Sequence, residues 1–467
     1  MDDAAWPDNV HAAGKGNSSS TVSFADVAHQ TLIFDSADIV GNLVLRLVET
    51  RWMQRLRHIR QTGNTNLVYM YSEHSRFGHS LGVAYLSMLL MDRLLKISPE
   101  MVMPYRDAVA CAAILHDVGH VAPGSHVAAK LWGRDTADDH EGISVRVIKE
   151  DAEISRILKS ARKELPDLVS RILLDDSSLP PWTKSIISGA GWNADRGNWT
   201  IVDSAMCSVS YGRYNVLALI DAFSLSPDGH LVIQENRLDA LTHFFVARES
   251  MYRQVYQHRV LQSADALMFS LIRRLRDLVV VSTKPYSGNP SPRNALEDLG
   301  IFCDDVMFSA ITTNNYAHQL PLETIFKMTE GWWSYHTESW CECKDHILRD
   351  LAIRLRDRQL FKTIRLDLDK SAPCAPGECS EHPLLVRARE IASNLGLDPT
   401  YYVLSIQRAD SHKEPSEQAP LVILDNNSIV SAAQVEPLIN HLCTKRENPK
   451  RWMAVPKIVK EKLGRIR

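Results

Sequence analysis

The sequence predicts a mostly α-helical protein in which a large helical core is followed by a small C-terminal α+β unit. Apolar residues recur at helical spacing in most segments up to about residue 367. After residue 383, short apolar runs of strand length replace that spacing. The 467 residues are 45% hydrophobic and 23% charged, which is typical of a globular protein and excludes a wholly disordered, collagen-like or coiled-coil chain.

The N-terminal half of the chain begins with a polar segment and continues into helices. Residues 1–21 are rich in small and polar side chains, so we expect a disordered tail. The apolar run at 22–34 predicts one or two strands. Helices are predicted at 38–60, 77–95, 107–115, 152–164, 167–173, 214–223, 238–279, 320–329 and 346–356. The segment at 238–279 is long enough that we expect it to bend or break.

Two proline-rich stretches mark the boundaries of the later elements. Residues 282–294 and 367–383 contain three prolines each, which interrupt regular structure. Beyond them we predict one helix and several strands, at 384–395, 401–406, 421–424 and 429–431. The predicted parts are a tail at 1–21, a helical domain at 22–367, a linker at 368–383 and a C-terminal α+β unit at 384–467.

Charge and local composition exclude several classes of function. The 53 Lys and Arg residues against 56 Asp and Glu give a net charge of −3, so nucleic acid is not an expected partner. No uninterrupted apolar run of membrane-helix length occurs, and the first residues do not form a signal peptide. Eight cysteines in a chain of this length do not predict a disulfide scaffold, so we expect a cytoplasmic protein with reduced thiols.

Histidine and aspartate residues that could bind a metal concentrate between residues 76 and 140. His79 lies at the start of a predicted helix, and His116 and Asp117 end a helix that is almost entirely apolar. An unpaired buried carboxylate is costly, so this His-Asp pair requires polar partners. Imidazole and carboxylate groups together are common ligands of divalent ions. Three further histidines follow within 25 positions: His120, His126 and His140. We therefore predict a metal site formed by His79, His116 and Asp117.

These residues and the blocks around them resemble the HD-domain phosphohydrolases, in which a His, a His-Asp pair and a distal Asp hold a metal. The flanking blocks are similar to deoxynucleoside triphosphate triphosphohydrolases of the dGTPase-like branch that includes the SAM-and-HD-domain restriction factor, without the SAM domain. The similar blocks are ET at 49–50, QRLRHIRQ at 54–61, RFGHSLG at 76–82, R-x7-YQHR at 248–259, R-x-LFK at 358–362, and segments at 390–392, 396–399 and 401–403.

The resemblance implies hydrolysis of a dNTP at its α-phosphorus, which releases a deoxynucleoside and intact triphosphate. A divalent ion (Mg, Mn, Fe or Zn) supplies a nucleophile at neutral pH in such chemistry. Protonation of the departing 5′-oxygen suits histidine, whose ordinary pKa is near neutrality. The resemblance assigns that proton to His126 and places His120 and His140 along the phosphates.

Substrate-binding residues are also implied by the resemblance. Arg76 and Arg248 would bind phosphate oxygens, which suits the planar guanidinium group. Gln61 would contact the sugar hydroxyl. Tyr256, followed by Gln257 in the same block, would pack against the sugar and exclude a 2′-hydroxyl. Arg248 and Tyr256 are eight residues apart, so they lie on one helix face if the helix is continuous.

The segment expected to hold the last metal ligand departs from the family pattern. That ligand is an Asp in a segment of the form Asp-x-Asp-Arg/Lys-x-Asp-Tyr. We align this pattern with residues 210–216, where Gly212 occupies the ligand position. Loss of a carboxylate would weaken metal binding.

Two hypotheses follow: a dNTP triphosphohydrolase with a weakened metal site, or a catalytically impaired nucleotide sensor or subunit of a larger complex, such as an antiphage complex. A third class, an HD-type nuclease or cyclic-nucleotide phosphodiesterase, would share the metal residues. That class does not explain the presence of the block at 256–257.

Regulation by a nucleotide is a further implication of the resemblance. Residues at the positions of Glu49, Gln54 and Arg57 help to form an activating nucleotide site between subunits in the animal enzyme. Ordinary pairing on a helix surface accounts for these residues equally well. Because the family tends to build its sites across interfaces, we expect a homo-oligomer, either a dimer or a tetramer.

Overall fold

A computed structural model of the chain describes residues 20–124, 126–133, 140–189, 191–282, 292–366, 382–408, 419–444 and 450–464. Residues 1–19 of the predicted tail and nearly all of the predicted linker at 368–383 therefore lie outside the described residues. The protein is mostly helical with small sheets, so the predicted fold class is confirmed.

The first half of the chain contains a β-hairpin followed by helices. The hairpin consists of β1 (Thr21–Asp26) and β2 (Gln30–Asp35). The helices are α1 (Ile39–Val48), α2 (Arg51–Arg55), α3 (Arg76–Leu95), α4 (Pro99–Val102), α5 (Arg106–Leu115), α6 (His126–Gly133), α7 (His140–Glu150), α8 (Ala152–Ala161), α9 (Leu165–Leu173), α10 (Trp182–Ser185), α11 (Ala194–Met206) and α12 (Val216–Ala222).

The second half alternates helices with short strands. Its elements are β3 (Phe223–Leu225), β4 (Leu231–Gln234), α13 (Leu238–Met251), α14 (Arg259–Ser282), α15 (Pro292–Asp298), α16 (Asp305–Thr312), α17 (Tyr316–Gln319), α18 (Leu322–Lys327), α19 (Glu330–Ser339), α20 (His346–Arg356), β5 (Lys362–Arg365), α21 (Pro383–Asn394), α22 (Pro399–Tyr402), β6 (Leu404–Arg408), β7 (Leu421–Ile423), β8 (Ile429–Ser431), α23 (Ala432–Val435), α24 (Pro437–Thr444), β9 (Lys450–Val455) and α25 (Lys457–Leu463).

Two of the predicted helices are interrupted. The segment predicted at 38–60 divides into α1, α2 and a 3-10 turn at Leu56–His58. The long segment at 238–279 breaks after α13, where a π-helical turn at Tyr252–Tyr256 precedes α14, as expected. A π turn widens the helix by one residue per turn and commonly occurs at functional sites.

The helical core positions three elements side by side. Helix α5 is buried from Ala108 to Leu115, and α3 packs between α5 and α11. The small side chains of α5 allow this close approach, because alanine and glycine residues let helix axes come together. The ends of these three helices form one site.

Strands of the C-terminal segment pair with strands of the helical body. In one four-stranded sheet, β4 pairs in parallel with β7, in the order β3-β4-β7-β8. In a three-stranded sheet, β9 lies between β5 and β6. A small separate core, which includes Leu385, Ala388 and Val459, underlies the second sheet. The boundary at 384 stays a prediction.

In the described part of the chain, no helix is both long enough and apolar enough to cross a lipid bilayer.

Candidate metal centre and active site

His116 and Asp117 directly follow α5, and both are buried. His116 donates from Nδ1 to the carbonyl oxygen of Ala113 at 2.8 Å, which leaves Nε2 as the unprotonated nitrogen of a neutral ring. The hydroxyl of Ser144 on α7 donates to the carbonyl of His116 and accepts from the N–H of Gly119. These bonds fix the turn that follows α5.

Four side chains from three elements converge at this end of α5. Nε2 of His79 on α3 lies 2.9 Å from Oδ1 of Asp195 and 3.7 Å from Oδ2 of Asp117. The same Asp195 oxygen is 3.9 Å from Nε2 of His116, and that Nε2 lies 3.4 Å from Oδ1 of Asp117. One atom from each of His79, His116 and Asp195 lies within 4.8 Å of the other two.

This cluster has the chemistry of a divalent metal site. The Nε2 atom of His116 is buried and has no hydrogen-bond partner among the described residues, although burying a polar nitrogen without a partner is costly. A metal ion bound to Nε2 would satisfy it. Two imidazoles and two carboxylates suit Zn, Fe or Mn, and Mg through the carboxylates. Our predicted ligands His79, His116 and Asp117 lie together, with Asp195 added to them.

The expectation that Gly212 replaces the distal carboxylate is wrong. The carboxylate that meets His79 and His116 belongs to Asp195, in the first turn of α11. Gly212 instead lies behind α11, where a Cβ would sit 2.0 Å from the carbonyl oxygen of Thr200. The family pattern aligns with residues 193–199, NADRGNW, in which Asp195 and Arg196 are retained. Asn198 and Trp199 stand where the pattern has Asp and Tyr.

The hydrogen-bond partners of Asp117 and Asp195 keep both carboxylates ionised. Burial opposes ionisation of Asp117, but the positive charge of Arg76, which donates to its Oδ2, holds the pKa of Asp117 well below its ordinary range. Burial opposes ionisation of Asp195 too, yet the hydrogen bond from His79 lowers the pKa of Asp195. Burial lowers the pKa of His116 and keeps that ring neutral.

A second group of side chains shares Asp117 with the metal cluster. The rings of His120 and His140 stack with centroids 4.0 Å apart. Nε2 of His120 lies 3.2 Å from Oδ1 of Asp117, and Nε2 of His140 lies 3.9 Å from it. Burial and the charge of Arg76 lower the pKa of His120 to about 3. Helix α6 begins at His126, whose side chain lies outside the described residues.

Two charged residues, buried Arg55 and half-buried Glu330, hold the loop that joins these groups, and the sequence patterns did not indicate them. The guanidinium of Arg55 donates to the carbonyl of His120 at 2.7 Å and to carbonyls at the end of α18. The carboxylate of Glu330 accepts from the N–H of Gly124 at 2.7 Å and from that of Arg60 at 3.3 Å. Burial raises the pKa of Glu330 and lowers the pKa of Arg55 to about 9.

One face of α11 links the metal cluster to a second polar cluster. Asp195, Trp199 and Asp203 recur every four residues and therefore lie on the same face. Asp203 accepts a hydrogen bond from the hydroxyl of Tyr256 at 2.6 Å and lies 2.7 Å from Nε2 of His74. Burial and the neighbouring Asp203 raise the pKa of Tyr256 well above its ordinary value.

Aromatic contacts hold the π-helical turn against α11. The ring centroid of Tyr256 lies 5.4 Å from that of Trp199 and 5.3 Å from that of Tyr252. The buried guanidinium of Arg248 lies 5.4 Å from the ring of Tyr252. Gln257 is half-buried, and its N–H donates to the carbonyl of Tyr252. Tyr256 therefore packs against α11, the helix that carries Asp195, and Arg248 lies next to Tyr252 beside it.

Gln61 approaches the same region from the segment before α3. Its backbone N–H donates to the carbonyl of His74, the residue whose ring reaches Asp203. The side chain of Gln61 is buried, and its Oε1 has no hydrogen-bond partner among the described residues. A buried acceptor of this kind is available for a ligand hydroxyl.

Of the three predicted regulatory residues, Glu49 follows α1, Gln54 lies in α2 and Arg57 lies in the 3-10 turn after α2. Glu49 is exposed, and the amide of Gln54 donates to the carbonyl of Val48 at 2.8 Å. Nε of Arg57 donates to Oε1 of Gln54 at 2.8 Å. The guanidinium of Arg57 lies 3.7 Å from the ring centroid of Phe77, which follows Arg76 in α3. Gln54 and Arg57 therefore form one surface group.

Comparison with known proteins identifies the central part of the chain. Residues 76–183 match the model of the HD domain family. The uncharacterized protein YwfO of Bacillus subtilis is 27% identical over 440 residues, which cover 92% of this chain and 91% of that protein. A Bacteroides thetaiotaomicron phosphohydrolase of known crystal structure has a TM-score of 0.75 at 21% identity and covers 94% of this chain and 100% of that one. This similarity shows that the two chains share a fold.

Other relatives carry a named activity and match a shorter part of the chain. The deoxynucleoside triphosphate triphosphohydrolase SAMHD1 of Danio rerio is 26% identical over 250 residues, which are 47% of this chain and 40% of that protein. The SAMHD1 homolog of Dictyostelium discoideum is 28% identical over 249 residues, covering 49% of this chain and 46% of that protein. The chain thus spans less than half the length of these relatives.

Proposed function

We propose that this protein, which carries the HD domain of a phosphohydrolase, hydrolyses deoxynucleoside triphosphates to a deoxynucleoside and triphosphate. The observation that carries the proposal is the convergence of His79, His116, Asp117 and Asp195 beside Arg76. Ligands for a divalent ion and a cation for phosphate oxygens thus meet in one buried site. The similarity to deoxynucleoside triphosphate triphosphohydrolases supports this choice of substrate.

The four converging residues would hold the metal. A bound divalent ion lowers the pKa of water and polarises a phosphate oxygen, which supplies both a nucleophile and charge stabilisation. Asp117 and Asp195 are held ionised, and His116 is held neutral with Nε2 directed at the site, so these three ligands are in the protonation states that metal binding requires. Burial opposes protonation of His79, but its hydrogen bond with Asp195 raises the pKa of His79, so metal binding would release a proton from Nε2 of His79. The presence of Asp195 removes the argument for a silent sensor.

Phosphate recognition is assigned to cations and imidazoles next to the metal ligands. Arg76 would bind the α-phosphate, because its guanidinium already contacts Asp117. Arg248 would bind phosphate oxygens on the side of α11. His120 and His140, stacked against each other, would line the phosphate path. We assign protonation of the leaving 5′-oxygen to His126, which begins α6 directly after the braced loop.

Sugar recognition is assigned to the second polar cluster. Tyr256 is held between Trp199 and Tyr252 and is anchored by Asp203, so its ring is a rigid wall that would exclude a 2′-hydroxyl. Gln61 and Gln257 would contact the 3′-hydroxyl region, because Gln61 offers a buried acceptor there. Such a wall would distinguish deoxynucleotides from ribonucleotides by steric repulsion of the 2′-hydroxyl, without extra favourable contacts to the deoxynucleotide.

The proposal is tested by incubating the full chain with each dNTP and with Mn²⁺ or Mg²⁺, alone and with GTP, followed by chromatography. We expect a deoxynucleoside and an equal amount of triphosphate, and no product after metal removal by EDTA. Release of orthophosphate or pyrophosphate would contradict hydrolysis at the α-phosphorus. Asp239→Asn, at an exposed position in α13, serves as a control that should keep full activity.

We also propose that the protein is a homo-oligomer, a dimer or a tetramer, in which Glu49, Gln54 and Arg57 bind a regulatory nucleotide. Arg57 supports this proposal because its exposed guanidinium lies over Phe77, one residue from Arg76. Light scattering with and without GTP and dNTP tests it. A mass that changes with nucleotide, and that no longer changes in Arg57→Ala, is expected. An invariant monomer would contradict it.

A further inference from the structure

His74 contacts both sides of the proposed sugar site. Its side chain is mostly buried, at 11% exposure, and lies in the segment before α3. Nε2 of His74 is 2.7 Å from Oδ1 of Asp203, which accepts at its other oxygen from the hydroxyl of Tyr256 at 2.6 Å. The carbonyl oxygen of His74 accepts from the N–H of Gln61 at 3.0 Å. One residue therefore links the buried Gln61 acceptor to the Tyr256 ring.

A short antiparallel pairing fixes the backbone around His74. The segment 59–61 pairs with it on both sides, because the N–H of Arg76 also donates to the carbonyl of Ile59 at 3.0 Å. Two hydrogen bonds of this kind prevent the paired backbone from shifting. The Cβ of His74 is thus held in place, and only the side-chain torsions remain free. The hydrogen bond to Asp203 fixes those torsions.

The Asp203 carboxylate determines the direction of both hydrogen bonds that it shares. An ionised carboxylate accepts and cannot donate, so Nε2 of His74 and the hydroxyl of Tyr256 are both donors. Nδ1 of His74 is buried and has no hydrogen-bond partner among the described residues, so no second contact requires the other tautomer. Nε2 carries its hydrogen whether the ring is neutral or protonated. His74 therefore donates to Asp203 in either charge state.

The donated bond from His74 holds the carboxylate that anchors Tyr256. The Asp203 side chain is only 3% exposed, so removal of one donor would leave a carboxylate oxygen without a partner and free to turn. The edge-on contacts of Tyr256 with Trp199 and Tyr252 are not directional enough to fix its ring alone. The position of the ring therefore depends on Asp203 and, through it, on His74.

We propose that His74 is a positioning residue for recognition of the deoxyribose. Its ring holds the Asp203 carboxylate that anchors Tyr256, and its carbonyl holds Gln61, so one residue sets the spacing between the Tyr256 wall and the Gln61 acceptor. His74 itself would not touch the nucleotide. The inference rests on the proposed function in taking Tyr256 and Gln61 as the two sides of the sugar site.

The test measures the preference for a deoxynucleotide as the ratio of the dissociation constants of CTP and dCTP. Isothermal titration calorimetry on the full chain in EDTA measures binding without hydrolysis, and the two pyrimidine nucleotides keep GTP, the candidate regulator, out of the experiment. His74→Phe retains a ring but removes the donor. We expect it to lower the ratio about fivefold, the factor that corresponds to the usual net worth of one hydrogen bond.

A double-mutant cycle with Tyr256→Phe identifies the route of this effect. Tyr256→Phe lacks the hydroxyl that Asp203 anchors, so it should lower the ratio by a similar factor. Once that anchor is lost, the position of the carboxylate no longer affects the ring. His74→Phe should therefore cause no further fall of the ratio in the presence of Tyr256→Phe.

The matched variant is His74→Gln, because a glutamine amide can place an N–H group near the position of Nε2 and donate to Asp203. We expect it to keep the ratio of the unaltered protein. His74→Asn carries the same amide on a side chain too short to reach Asp203, and it replaces His74→Phe in the cycle if that variant does not fold. His243→Phe, at an exposed position in α13, should change neither dissociation constant.

The ratio separates positioning from a merely structural role. A structural loss would weaken CTP and dCTP binding equally and leave the ratio unchanged, and that result would overturn the inference. An equal fall in His74→Gln and His74→Phe would overturn it too, as would an unaltered chain that binds dCTP no more tightly than CTP. If the ratio follows the cycle but no dNTP is hydrolysed with Mn²⁺, the proposed function fails and the role of His74 stands. If dNTPs are hydrolysed but the ratio does not follow the cycle, the role of His74 fails and the proposed function stands.

Discussion

The carboxylate of Asp195 accepts a hydrogen bond from Nε2 of His79 at 2.9 Å, across the interface between α11 and α3. The same carboxylate oxygen faces Nε2 of His116 at 3.9 Å. This relationship completes a set of two imidazoles and two carboxylates, which is a suitable ligand set for a catalytic metal with positions open to water or substrate. The function proposed above depends on this arrangement.

Asp195→Asn should abolish most metal binding and hydrolysis. The amide keeps the size of the side chain but loses the negative charge that faces two imidazoles. We expect Mn²⁺ affinity to fall by at least about 100-fold, the upper range for loss of an outer partner of a ligand. Titration of Mn²⁺ followed by EPR measures this, with Asp239→Asn as the control. An unchanged affinity would exclude Asp195 as a ligand.

Gly212→Asp should destabilise the protein without increasing activity. A Cβ at this buried position would meet the carbonyl oxygen of Thr200 at 2.0 Å and Cβ of Ser204 at 2.8 Å. Overpacking of this kind costs about 1–3 kcal/mol, and the buried carboxylate adds to it. Thermal unfolding measures the change. Gly331→Asp, at an open position in the first turn of α19, should leave the melting temperature unchanged. A gain of hydrolysis in Gly212→Asp would show that the distal ligand has been misassigned.

Tyr256→Ala should reduce the preference for deoxynucleotides over ribonucleotides. The tyrosine ring is held by Trp199, Tyr252 and Asp203, so removing it opens a space that the neighbours do not fill. We expect the ratio of kcat/KM for dGTP to that for GTP to fall by roughly tenfold, a typical factor for a steric difference of this size. Tyr335→Ala, at an exposed position, is the control. A ratio that stays constant would place the sugar elsewhere.

Asp345→Asn should lower stability near neutral pH and have little effect in acid. Burial opposes ionisation of Asp345, but hydrogen bonds from Arg274 lower the pKa of Asp345 in the folded protein. A lowered folded-state pKa means that the ion pair stabilises the fold above the unfolded carboxylate pKa of about 3.9 and that this contribution is lost as pH falls.

Asparagine at position 345 can still accept from the N–H of Leu348 at the start of α20, so the helix cap is retained. We therefore expect a loss of about 2 kcal/mol at pH 7, the usual worth of hydrogen bonds to a charged group. Urea unfolding at pH 7 and below pH 4 measures the difference between the two proteins. Asp357→Asn, in an exposed pair with Arg356, should have almost no effect. A difference that is the same at both pH values would exclude the ion pair as its cause.

The sequence was sufficient to predict the fold class and three of the converging side chains. His79, His116 and Asp117 lie in segments whose apolar spacing is strong, so their helices could be placed and their polar residues stood out. The break after α13 also followed from the length of its segment. Such predictions need a clear difference between apolar positions, which reveal the helix, and polar positions, which stand out as candidate ligands. Helices α3 and α5 show this difference.

Asp195 was missed because the buried face of α11 is itself polar. Gly197, Asn198, Thr200, Asp203 and Ser204 are all buried there, so α11 lacks the apolar periodicity that reveals a helix. Without that helix, the family pattern was aligned with residues 210–216. The signal that could have located it is Asn193, whose side chain accepts from the N–H of Arg196 at 2.8 Å as a helix N-cap. The pattern Asn-x-Asp-Arg then marks the first turn.

The spacing of residues in the sequence also could not predict which distant strands pair. Strand β4 lies almost 190 residues before β7 but pairs with it in one sheet, and no local pattern indicates which strands will meet. Arg55 and Glu330 were missed for a related reason. Both are charged residues, Arg55 buried and Glu330 half-buried, whose side chains bind backbone groups distant in sequence.

The most direct test compares the reaction products of the unaltered protein and Asp195→Asn, each incubated with the four dNTPs and Mn²⁺ and separated by chromatography. The unaltered protein should release deoxynucleosides and triphosphate in a one-to-one ratio, and Asp195→Asn should release neither at a measurable rate while its fold is retained in thermal unfolding. Equal turnover by both proteins, or products cleaved at the β- or γ-phosphorus, would contradict a metal-dependent triphosphohydrolase site built on His79, His116, Asp117 and Asp195.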